Sequence, residues 1–586
     1  MRWPRLRAAD PGVPGWAPPH SSASHRAGYP SGVTNVRPDD VAHLLVRCLE
    51  NEGVEYVFGL PGEENLSVID ALSSSSIRFI TTRDERGAAF MADTYGALTG
   101  RPGVCLATLG PGAINLLLGV ANAQLDSHPL VAITAQAALS RMSKESHQAV
   151  DLVSLFRPVT KWGDMVTVRA AVPEMVRKAF KQAATERPGA TFIVLPEDVA
   201  EREVEGLEPL PVNVPVDPAP ALAQVERAAD VLSAAERPIV LAGPGVARDR
   251  ASEALLRFAE RLRIPVVTTF LGKGVFPDDH ELAVGTIGFM VRDYANFGFD
   301  GADVVVAVGY DLVEYPPSRW NPEGRTRVIH VHRDVAEVDA AYVLSVGVVG
   351  DIGSSLDAIA EATDRAGAVA PAMPARGFRD DELAQGAADD AFPLRPQRLV
   401  AEIRDSLDRD DIVLVDTGAA KMWMARLYPT FAPNTCLISN GLATMAFSLP
   451  GAIAAKLVHP ERRVLATMGD GAFLMSASDI ETAVREEIPL TILVWVDGGY
   501  GLIGWKQDLH FARTDAVSFG NPDFVRFAES FGARGYAITA ADQLGPALRA
   551  SLDDGGVSVI ACPVDYSENA RLVERLGGIS GSSEAS

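Results

Sequence analysis

The chain has 586 residues, too many for a single hydrophobic core, and its 47% hydrophobic and 22% charged content is typical of folded globular proteins. A formal net charge of −23 disfavours binding to nucleic acids and to anionic membranes, because both repel a negative surface. The four scattered cysteines form no C-x-x-C pair, and no apolar segment is long enough to span a bilayer. We therefore expect a cytoplasmic protein of about three domains, without a disulfide framework or a thiolate zinc site.

The chain begins with a segment that we predict lies outside the fold. Residues 1–34 are rich in Arg, Pro, Gly and Ser and lack the continuous apolar stretch of a secretory signal, so we predict a disordered extension. Residues 35–205 are predicted to form a first α/β domain, because strand-like segments alternate there with helix-like or Gly-rich sequence. These segments are VEYVFGL, IRFITT, GVCLAT, PLVAIT and ATFIVLP.

Two further domains of the same type are predicted after Pro-rich or low-complexity linkers. Residues 220–365 follow the linker EPLPVNVPVDPAPA and contain RPIVLAGPG, IPVVTTF, ADVVVAVG and TRVIHVH. Residues 393–572 follow DRAGAVAPAMPARG and contain DIVLVDTG, RRVLATMGDG, PLTILVWVDGG and VSVIACPVDY. The predicted fold class is α/β, with three doubly wound parallel-sheet domains.

The third domain contains two aspartates at the ends of predicted strands. Asp470 follows RVLATM between Gly469 and Gly471, and Asp497 follows TILVWV. Either motif alone is more often an ordinary turn or helix cap. Together they can lie side by side at the carboxyl edge of a parallel sheet, where open α/β sheets bind ligands. Mg²⁺ prefers oxygen ligands that it shares with phosphates, so the two carboxylates and the Gly499 carbonyl predict a magnesium–diphosphate site. The next segment, AFLMSASDIETAVREE, predicts a helix whose first amides face the anion.

GDG followed by VDGGYG resembles the cofactor motif of thiamine-diphosphate enzymes. The common form ends in Asn-Asn, whereas this chain has Val496-Asp497, which resembles the catabolic, FAD-independent acetolactate synthases. The resemblance implies that family's fold of pyrimidine, middle and diphosphate domains, with thiamine diphosphate and Mg²⁺ as cofactors. It also assigns Ala472 and Tyr500 to the cofactor site, beside the glycines and aspartates of the motif.

Glu85 stands at the start of a predicted helix in the first domain. Taken alone, it is an acid favoured by the helix dipole. Its surroundings, RDERGAAFMA, resemble the family motif R-H-E-x-G-A-A-x-M-A, in which the glutamate bonds the aminopyrimidine ring and promotes loss of the thiazolium C2 proton. The resemblance therefore implies a catalytic and cofactor-binding role for Glu85. Asp84 stands where many relatives have His.

Other segments extend the resemblance along most of the chain: FGLPG, GPGAIN, HQAVD with PVTK, DTGA and SNGLATMA. They assign six more residues to the cofactor, namely Pro61, Gly62, Asn115, Gly418, Ala419 and Met445. Met445 is implied to prop the cofactor in its bent form, although without the flanking match it would be a core residue filling space. Gln148 is implied to face the substrate as a second catalytic residue; alone, it is more often a surface or cap residue.

The segments GYDLVEYPPSRWNP and PVDYSENARLVERLG resemble the catabolic acetolactate synthases. No G-x-R-F-D-D-R stretch of the FAD-containing anabolic enzymes is found, and GPGVARDR lacks the G-x-G-x-x-G spacing, so no FAD is predicted. The implied reaction is decarboxylating carboligation of two pyruvates to 2-acetolactate and CO2. The implied assembly is a homodimer or homotetramer, because relatives bind the cofactor between subunits.

Three alternatives remain open at this point. A 2-oxo acid decarboxylase is disfavoured because the ten histidines include no adjacent pair. A carboligase with another acceptor shares every motif, and a non-catalytic homologue should have lost Glu85 or the metal motif. Two residues are left outside the predicted site. Lys273, in FLGKGVFPDDH, is expected to be a solvated charge, and His128 is expected to cap a strand.

Overall fold

The computed structural model describes residues 39–213, 218–289, 294–364 and 375–569. The predicted extension at 1–34 lies outside the described residues. The described part contains three six-stranded parallel sheets with helices between their strands, which confirms the predicted fold class. The sheets fall within 35–205, 220–365 and 393–572; those domain boundaries themselves stay predictions. Over the same described ranges, none of the helices has both the length and the apolar character needed to cross a bilayer.

The first sheet is buried on both faces, because successive strand residues such as Val57 and Phe58 pack into different hydrophobic clusters. Its strands are β1 (Tyr56–Gly59), β2 (Arg78–Thr81), β3 (Gly103–Ala107), β4 (Leu130–Gln136), β5 (Trp162–Met165) and β6 (Ala190–Pro196). Its helices are α1 (Val41–Asn51), α2 (Leu66–Ser73), α3 (Glu85–Thr99), α4 (Pro111–Asp126), α5 (Leu152–Phe156), α6 (Val172–Ala184) and α7 (Glu197–Ala200). The strand order is β2-β1-β3-β4-β6-β5, which reverses direction between β1 and β3.

The middle sheet has the strand order of dinucleotide-binding domains. Its strands are β7 (Pro238–Ala242), β8 (Val266–Thr269), β9 (Ala283–Ile287), β10 (Val304–Val308), β11 (Arg327–His332) and β12 (Leu344–Val349). Its helices are α8 (Leu222–Ser233), α9 (Gly245–Arg248), α10 (Ser252–Leu262) and α11 (Ile352–Ala362). The order is β12-β11-β10-β7-β8-β9, so the reversal falls between β7 and β10.

The third sheet repeats the topology of the first. Its strands are β13 (Ile412–Val415), β14 (Cys436–Ile438), β15 (Val464–Gly469), β16 (Leu490–Val496), β17 (Arg534–Ala537) and β18 (Val557–Pro563). The helices are α12 (Ala375–Ala387), α13 (Pro396–Ser406), α14 (Ala419–Leu427), α15 (Ser448–Val458), α16 (Asp470–Ser476), α17 (Asp479–Arg485), α18 (Gly501–Phe511), α19 (Phe524–Ser530) and α20 (Leu544–Asp553). The order β14-β13-β15-β16-β18-β17 reverses between β13 and β15.

The sequence patterns did not reveal five strands: β5, β9, β12, β14 and β17. All five lie at sheet edges. Edge strands are short or carry mixed polar and apolar residues, so they lack the continuous apolar run that reveals a central strand. The single helix predicted after the GDG motif is instead two short helices, α16 and α17, separated at Ala477 and Ser478.

One hydrophobic cluster joins the first and third domains. It contains residues of α3 and α4 together with residues of α15, β13, β15 and β16. The rings of Phe90 and Phe447 meet edge to face within it, with centroids 6.0 Å apart. The two domains therefore share a core on the faces that they turn toward each other.

Candidate active site

The third sheet places two acidic residues at the carboxyl ends of β15 and β16, next to its topological switch point between β13 and β15, and open α/β sheets bind ligands at this edge. β15 and β16 pair in parallel, with Gly469 level with Trp495. Asp470 and Asp497 therefore leave the same edge of the sheet almost level with each other. The structure brings these two sequence-predicted carboxylates together.

Asp470 is fully buried and held by four hydrogen bonds. Its Oδ2 accepts from the backbone amides of Asp497 (3.2 Å) and Gly498 (2.8 Å) and from the side-chain amide of Asn521 (2.7 Å). Its Oδ1 accepts from the amide of Gly471 at 2.8 Å. These bonds fix the carboxylate before any ligand arrives.

The chemistry of this donor set fits a divalent cation. Desolvation, followed by the neighbouring Asp470 carboxylate, raises the pKa of Asp497. Two carboxylates that share a site repel each other unless a proton or a cation lies between them. Among the described residues, no cluster of three or more His, Cys, Asp or Glu side chains could hold a metal. A cation here therefore needs further oxygen ligands, such as the Gly499 carbonyl and phosphate, which is the coordination that Mg²⁺ favours.

An open pocket with an empty volume of about 530 Å³ is lined by Asp497, whereas the buried Asp470 is not part of its lining. Nine sequence-predicted residues line it: Gly418, Ala419, Met445, Gly469, Gly471, Ala472, Asp497, Gly499 and Tyr500. Gly418 has φ +152°, a conformation that side-chain-bearing residues rarely adopt, and a Cβ atom at Gly418 or Gly469 would meet nothing within 4 Å. The buried Oγ1 of Thr417, also in the lining, has no hydrogen-bond partner within the described ranges. Backbone that no side chain covers, at Gly418 and Gly469, and the unpaired hydroxyl of Thr417 suit a phosphate ligand.

The first domain assembles a second group of predicted residues around Glu85, which begins α3 as expected. Asp84 caps this helix by accepting a hydrogen bond from the amide of Arg86 at 2.8 Å. The side-chain amide of Asn115 donates to Glu85 Oε2 at 3.0 Å. A Cβ atom at Gly112 would lie 3.1 Å from Glu85 Oε1, so a glycine allows the close approach of the carboxylate to α4.

The remaining predicted residues surround the same strand ends. Gly62 packs against Thr108, which follows β3 and donates a hydrogen bond to Glu64 Oε2 at 2.7 Å. Gln148, with φ +58°, lies against Gly110 at the start of α4. The structure therefore gathers Gly62, Glu85, Asn115 and Gln148 at the edge of one sheet. Pro61, Asn115 and Gln148 are exposed there.

The two groups stay separate within one chain. Among the described residues, the side-chain hydrogen bond of Glu85 is made to Asn115, in its own domain. A cavity of about 690 Å³ separates the start of α3 from the Met445 segment, and both Asp84 and Met445 line it. Asp479, also in its wall, is buried, and this burial raises its pKa to about 7.

The Gly-rich turn of the middle domain packs closely against the residues that follow β10. Gly243 and Gly245 pack directly on Gly309 across the switch point, where a Cβ atom at either glycine would clash with backbone. Behind them, the Arg248 guanidinium pairs with Asp311 at 3.0 Å and with Glu186 at 2.9 Å.

Two expectations about charged residues were wrong. Lys273 is buried and not solvated, because its ammonium lies 3.7 Å from the buried carboxylate of Asp278. It also donates hydrogen bonds to the Thr286 hydroxyl and the Ala425 carbonyl, both at 3.3 Å. The His128 ring does not cap a strand, since its Nδ1 lies 2.6 Å from the buried Asp93 carboxylate.

Sequence comparison assigns the family. Residues 39–155, 225–359 and 416–562 match the N-terminal TPP binding, central and C-terminal TPP binding domains of thiamine pyrophosphate (thiamine diphosphate) enzymes, respectively. The chain belongs to the thiamine pyrophosphate enzyme family. The family match covers both edges described above, since the N-terminal and C-terminal matches include Glu85 and the Asp470–Asp497 pair.

Several relatives in this family carry acetolactate synthase names. The acetolactate synthase of Bacillus subtilis is 36% identical over 539 residues, covering 91% of this chain and 94% of the relative. The catabolic acetolactate synthase of Raoultella terrigena is 36% identical over 546 residues, covering 91% and 97%. The acetolactate synthase large subunit of Corynebacterium glutamicum is 33% identical over 532 residues, covering 87% and 84%.

Two residues of the site were missed by the sequence reasoning. Asn521, which bonds Asp470, lies in a turn-rich loop where the only signal is an Asn-Pro pair. Thr108, between Gly62 and Gly112, is the last residue of the predicted strand segment GVCLAT, so the strand-end rule applied to Asp470 and Asp497 could have found it.

Proposed function

We propose that this protein catalyses the decarboxylating carboligation of two pyruvates to 2-acetolactate and CO2, with thiamine diphosphate and Mg²⁺ as cofactors. The convergence of Asp470 with Asp497, which lines an open, glycine-walled pocket, carries the proposal. The names of the relatives in Bacillus and Raoultella support the choice of reaction. The catabolic name of the second supports the branch to which we assign the chain.

The proposed cofactor site uses the residues that meet at the third sheet. Asp470, Asp497 and the Gly499 carbonyl hold Mg²⁺, and the glycines at 418, 469 and 471 give the diphosphate access to the backbone. Ala419, Ala472 and Tyr500 complete the lining, and Met445 supports the cofactor from the side. When bound, thiamine diphosphate supplies the nucleophilic carbon and the electron sink for decarboxylation.

The proposed proton relay uses the residues of the first sheet. Glu85 holds a proton at the aminopyrimidine ring, and the hydrogen bond from Asn115 orients the Glu85 carboxylate for that task. Pro61 and Gly62 lie beside the ring, and Gln148 faces the substrate. Carboligation also requires a pocket that excludes water, because a water-derived proton would divert the reaction to an aldehyde.

A complete site requires both groups to meet, so we propose that the protein works as a homodimer or homotetramer. Glu85 bonds within its own domain, and the pocket in the same chain is lined by other residues. Exposed apolar residues surround the two groups: Ile114 and Leu118 on α4, and Ile503 on α18. In this assembly, the residues around Glu85 in one copy cover the 530 Å³ pocket of another copy.

We further propose that the enzyme does not use FAD and is located in the cytoplasm. The middle domain has the strand order of a dinucleotide-binding fold, but its Gly-rich turn lacks the G-x-G-x-x-G spacing, and Gly243 and Gly245 pack directly on Gly309. The ion pairs of Arg248 occupy the space behind that turn. All four cysteines are free and buried, which suits a reducing compartment.

The test is an incubation of the purified full-length protein with pyruvate, thiamine diphosphate and Mg²⁺. We expect 2-acetolactate and CO2, and no product when EDTA replaces Mg²⁺. Acetaldehyde without acetolactate would instead establish a decarboxylase, and no turnover of pyruvate would overturn the enzyme proposal. Adding a second 2-oxo acid as competitor tests the acceptor preference, and the visible absorption spectrum of the protein tests for flavin.

A further inference from the structure

The segment 439–446, which we call the Met445 loop, lies between the two cavities of the candidate site. Met445 lines both the 530 Å³ pocket and the 690 Å³ cavity. On either side of it, Ala443 and Ala446 have φ of +55° and +75°. Residues with a Cβ atom persist in this left-handed region only where the surroundings hold them there. The contacts that hold this loop therefore also determine the position of Met445.

Its own domain holds the two ends of the loop. The carboxylate of buried Asp416 accepts hydrogen bonds from the amides of Ala446 and Ser448, both at 2.9 Å. At the other end, the ammonium of Lys421 donates to the carbonyl of Ser439 at 2.8 Å. These bonds leave the centre of the loop to be fixed by other groups.

Asn122, on α4 of the first domain, binds the loop from across the domain boundary and links its first residue, Ser439, to Thr444. Its Oδ1 accepts from the hydroxyls of Ser439 (2.7 Å) and Thr444 (2.8 Å). Its Nδ2 donates to the carboxylate of Asp93 at 2.7 Å, so both ends of the amide are engaged. All four side chains are buried, where water cannot replace a lost partner. The neighbouring carboxylate of Asp126 accepts from the amide of Gly441 in the same loop.

We propose that Asn122 is a positioning residue, which acts through Thr444 to hold Met445 against the centre of the bound cofactor. The inference rests on the proposed function, in which Met445 supports thiamine diphosphate. Thr444 directly precedes Met445, so the hydrogen bond that holds Thr444 in place also constrains the backbone from which the Met445 side chain extends. The first domain then serves catalysis twice, with Glu85 at the start of α3 and Asn122 near the end of α4.

The decisive variant is Thr444→Val, which removes the hydroxyl and keeps the shape of the side chain. Isothermal titration of the full-length protein with Mg²⁺ measures its affinity for thiamine diphosphate and for inorganic pyrophosphate, which occupies only the diphosphate end. We expect the affinity for thiamine diphosphate to fall about fivefold to tenfold, the usual effect of one buried hydrogen bond. We expect the affinity for pyrophosphate to stay within about twofold, since the metal ligands are untouched.

Two controls separate positioning from general stability. Thr444→Ser keeps the hydroxyl and should restore most of the affinity for thiamine diphosphate. Thr191→Val removes a buried hydroxyl of β6 that bonds the Ala179 carbonyl at 3.2 Å, far from the loop. It should lower the unfolding temperature and leave both affinities unchanged. Asn122→Leu should show the same cofactor-selective loss, but it also takes a donor from Asp93, so Thr444→Val keeps the test decisive if Asn122→Leu does not fold.

A double-mutant cycle tests whether the effect passes through Met445. If it does, Thr444→Val adds less than about twofold to the loss caused by Met445→Ala. Additive losses, an equal loss for pyrophosphate, or an unchanged affinity in Thr444→Val would each overturn the inference and leave the proposed function standing. Failure of the unaltered protein to bind thiamine diphosphate with Mg²⁺ would overturn both.

Discussion

The first and third sheets share one strand order, but their carboxyl edges differ in how completely each is built within one chain. At the third sheet, Asp470 is 0% exposed and accepts four hydrogen bonds. At the first sheet, Glu85 is half-buried, and within the described ranges its side chain accepts one hydrogen bond, from the exposed Asn115. The proposed metal half is therefore preorganised within one chain. The residues of the proposed proton-relay half are still accessible to a second copy that packs on them.

The largest effect is expected from Glu85→Gln, which tests the less enclosed half. Glutamine keeps a hydrogen-bonding oxygen for Asn115 but cannot hold a titratable proton at the ring. We expect deuterium exchange at C2 of bound thiamine diphosphate, followed by NMR after rapid quenching, to slow about 10²- to 10⁴-fold. Binding of the cofactor should change less than about threefold. The exposed Glu63→Gln serves as the matched control, and unchanged exchange in Glu85→Gln would remove the assigned role.

The enclosed half is tested by Asp470→Asn. This change removes a ligand charge and replaces one acceptor oxygen by an NH2 donor, which would face N–H groups from which Asp470 now accepts. We expect the affinity for thiamine diphosphate in Mg²⁺ to fall at least about 100-fold, since even partners of metal ligands are worth 10- to 100-fold. Asp523→Asn at the N-cap of α19 is the matched control and should leave the affinity unaltered. Retention of tight binding by Asp470→Asn would contradict a metal site here.

The third prediction tests whether a second copy covers the less enclosed half. Ile114, beside Asn115 on α4, is 48% exposed, and Ile114→Glu would put a charge into the proposed contact. We expect the dissociation constant of the oligomer, measured by analytical ultracentrifugation, to rise about tenfold or more. Leu222→Glu on α8 of the middle domain, where Leu222 is 70% exposed, should leave self-association unchanged. Equal behaviour of the two variants would place the contact elsewhere.

The smallest effect is expected from Asp497→Asn, which exchanges the carboxylate for an amide of nearly the same shape. The amide oxygen can still bind Mg²⁺, and the repulsion from Asp470 is removed together with one favourable charge on the metal. We expect the affinity for thiamine diphosphate, measured by the same titration, to change less than about fivefold. A collapse as large as that of Asp470→Asn would show that the charge of Asp497, and not only its oxygen, holds the cation.

The sequence predicted the parts of the molecule that depend on local pattern. Central strands such as β15 and β16 carry continuous apolar runs, and the glycines after them mark the ligand edge, so the Asp470–Asp497 pair could be anticipated. Asn122 and Asn521 could not be, because their partners lie in distant segments that only domain packing or loop folding brings near. The burial of Lys273 was not predicted for a related reason. Lys273 and its partner Asp278 both bond residues of the third domain, which are distant from them in sequence.

The shared hydrophobic cluster between the first and third domains limits how substrate can enter and leave. A hinge opening between these domains would expose a continuous apolar surface that includes Phe90, Phe447 and the small residues of α15. At about 25 cal/mol for each Å² uncovered, such a hinge would be far too costly to open in every catalytic cycle. We therefore expect the first and third domains of one chain to stay together as one body while substrate enters and product leaves.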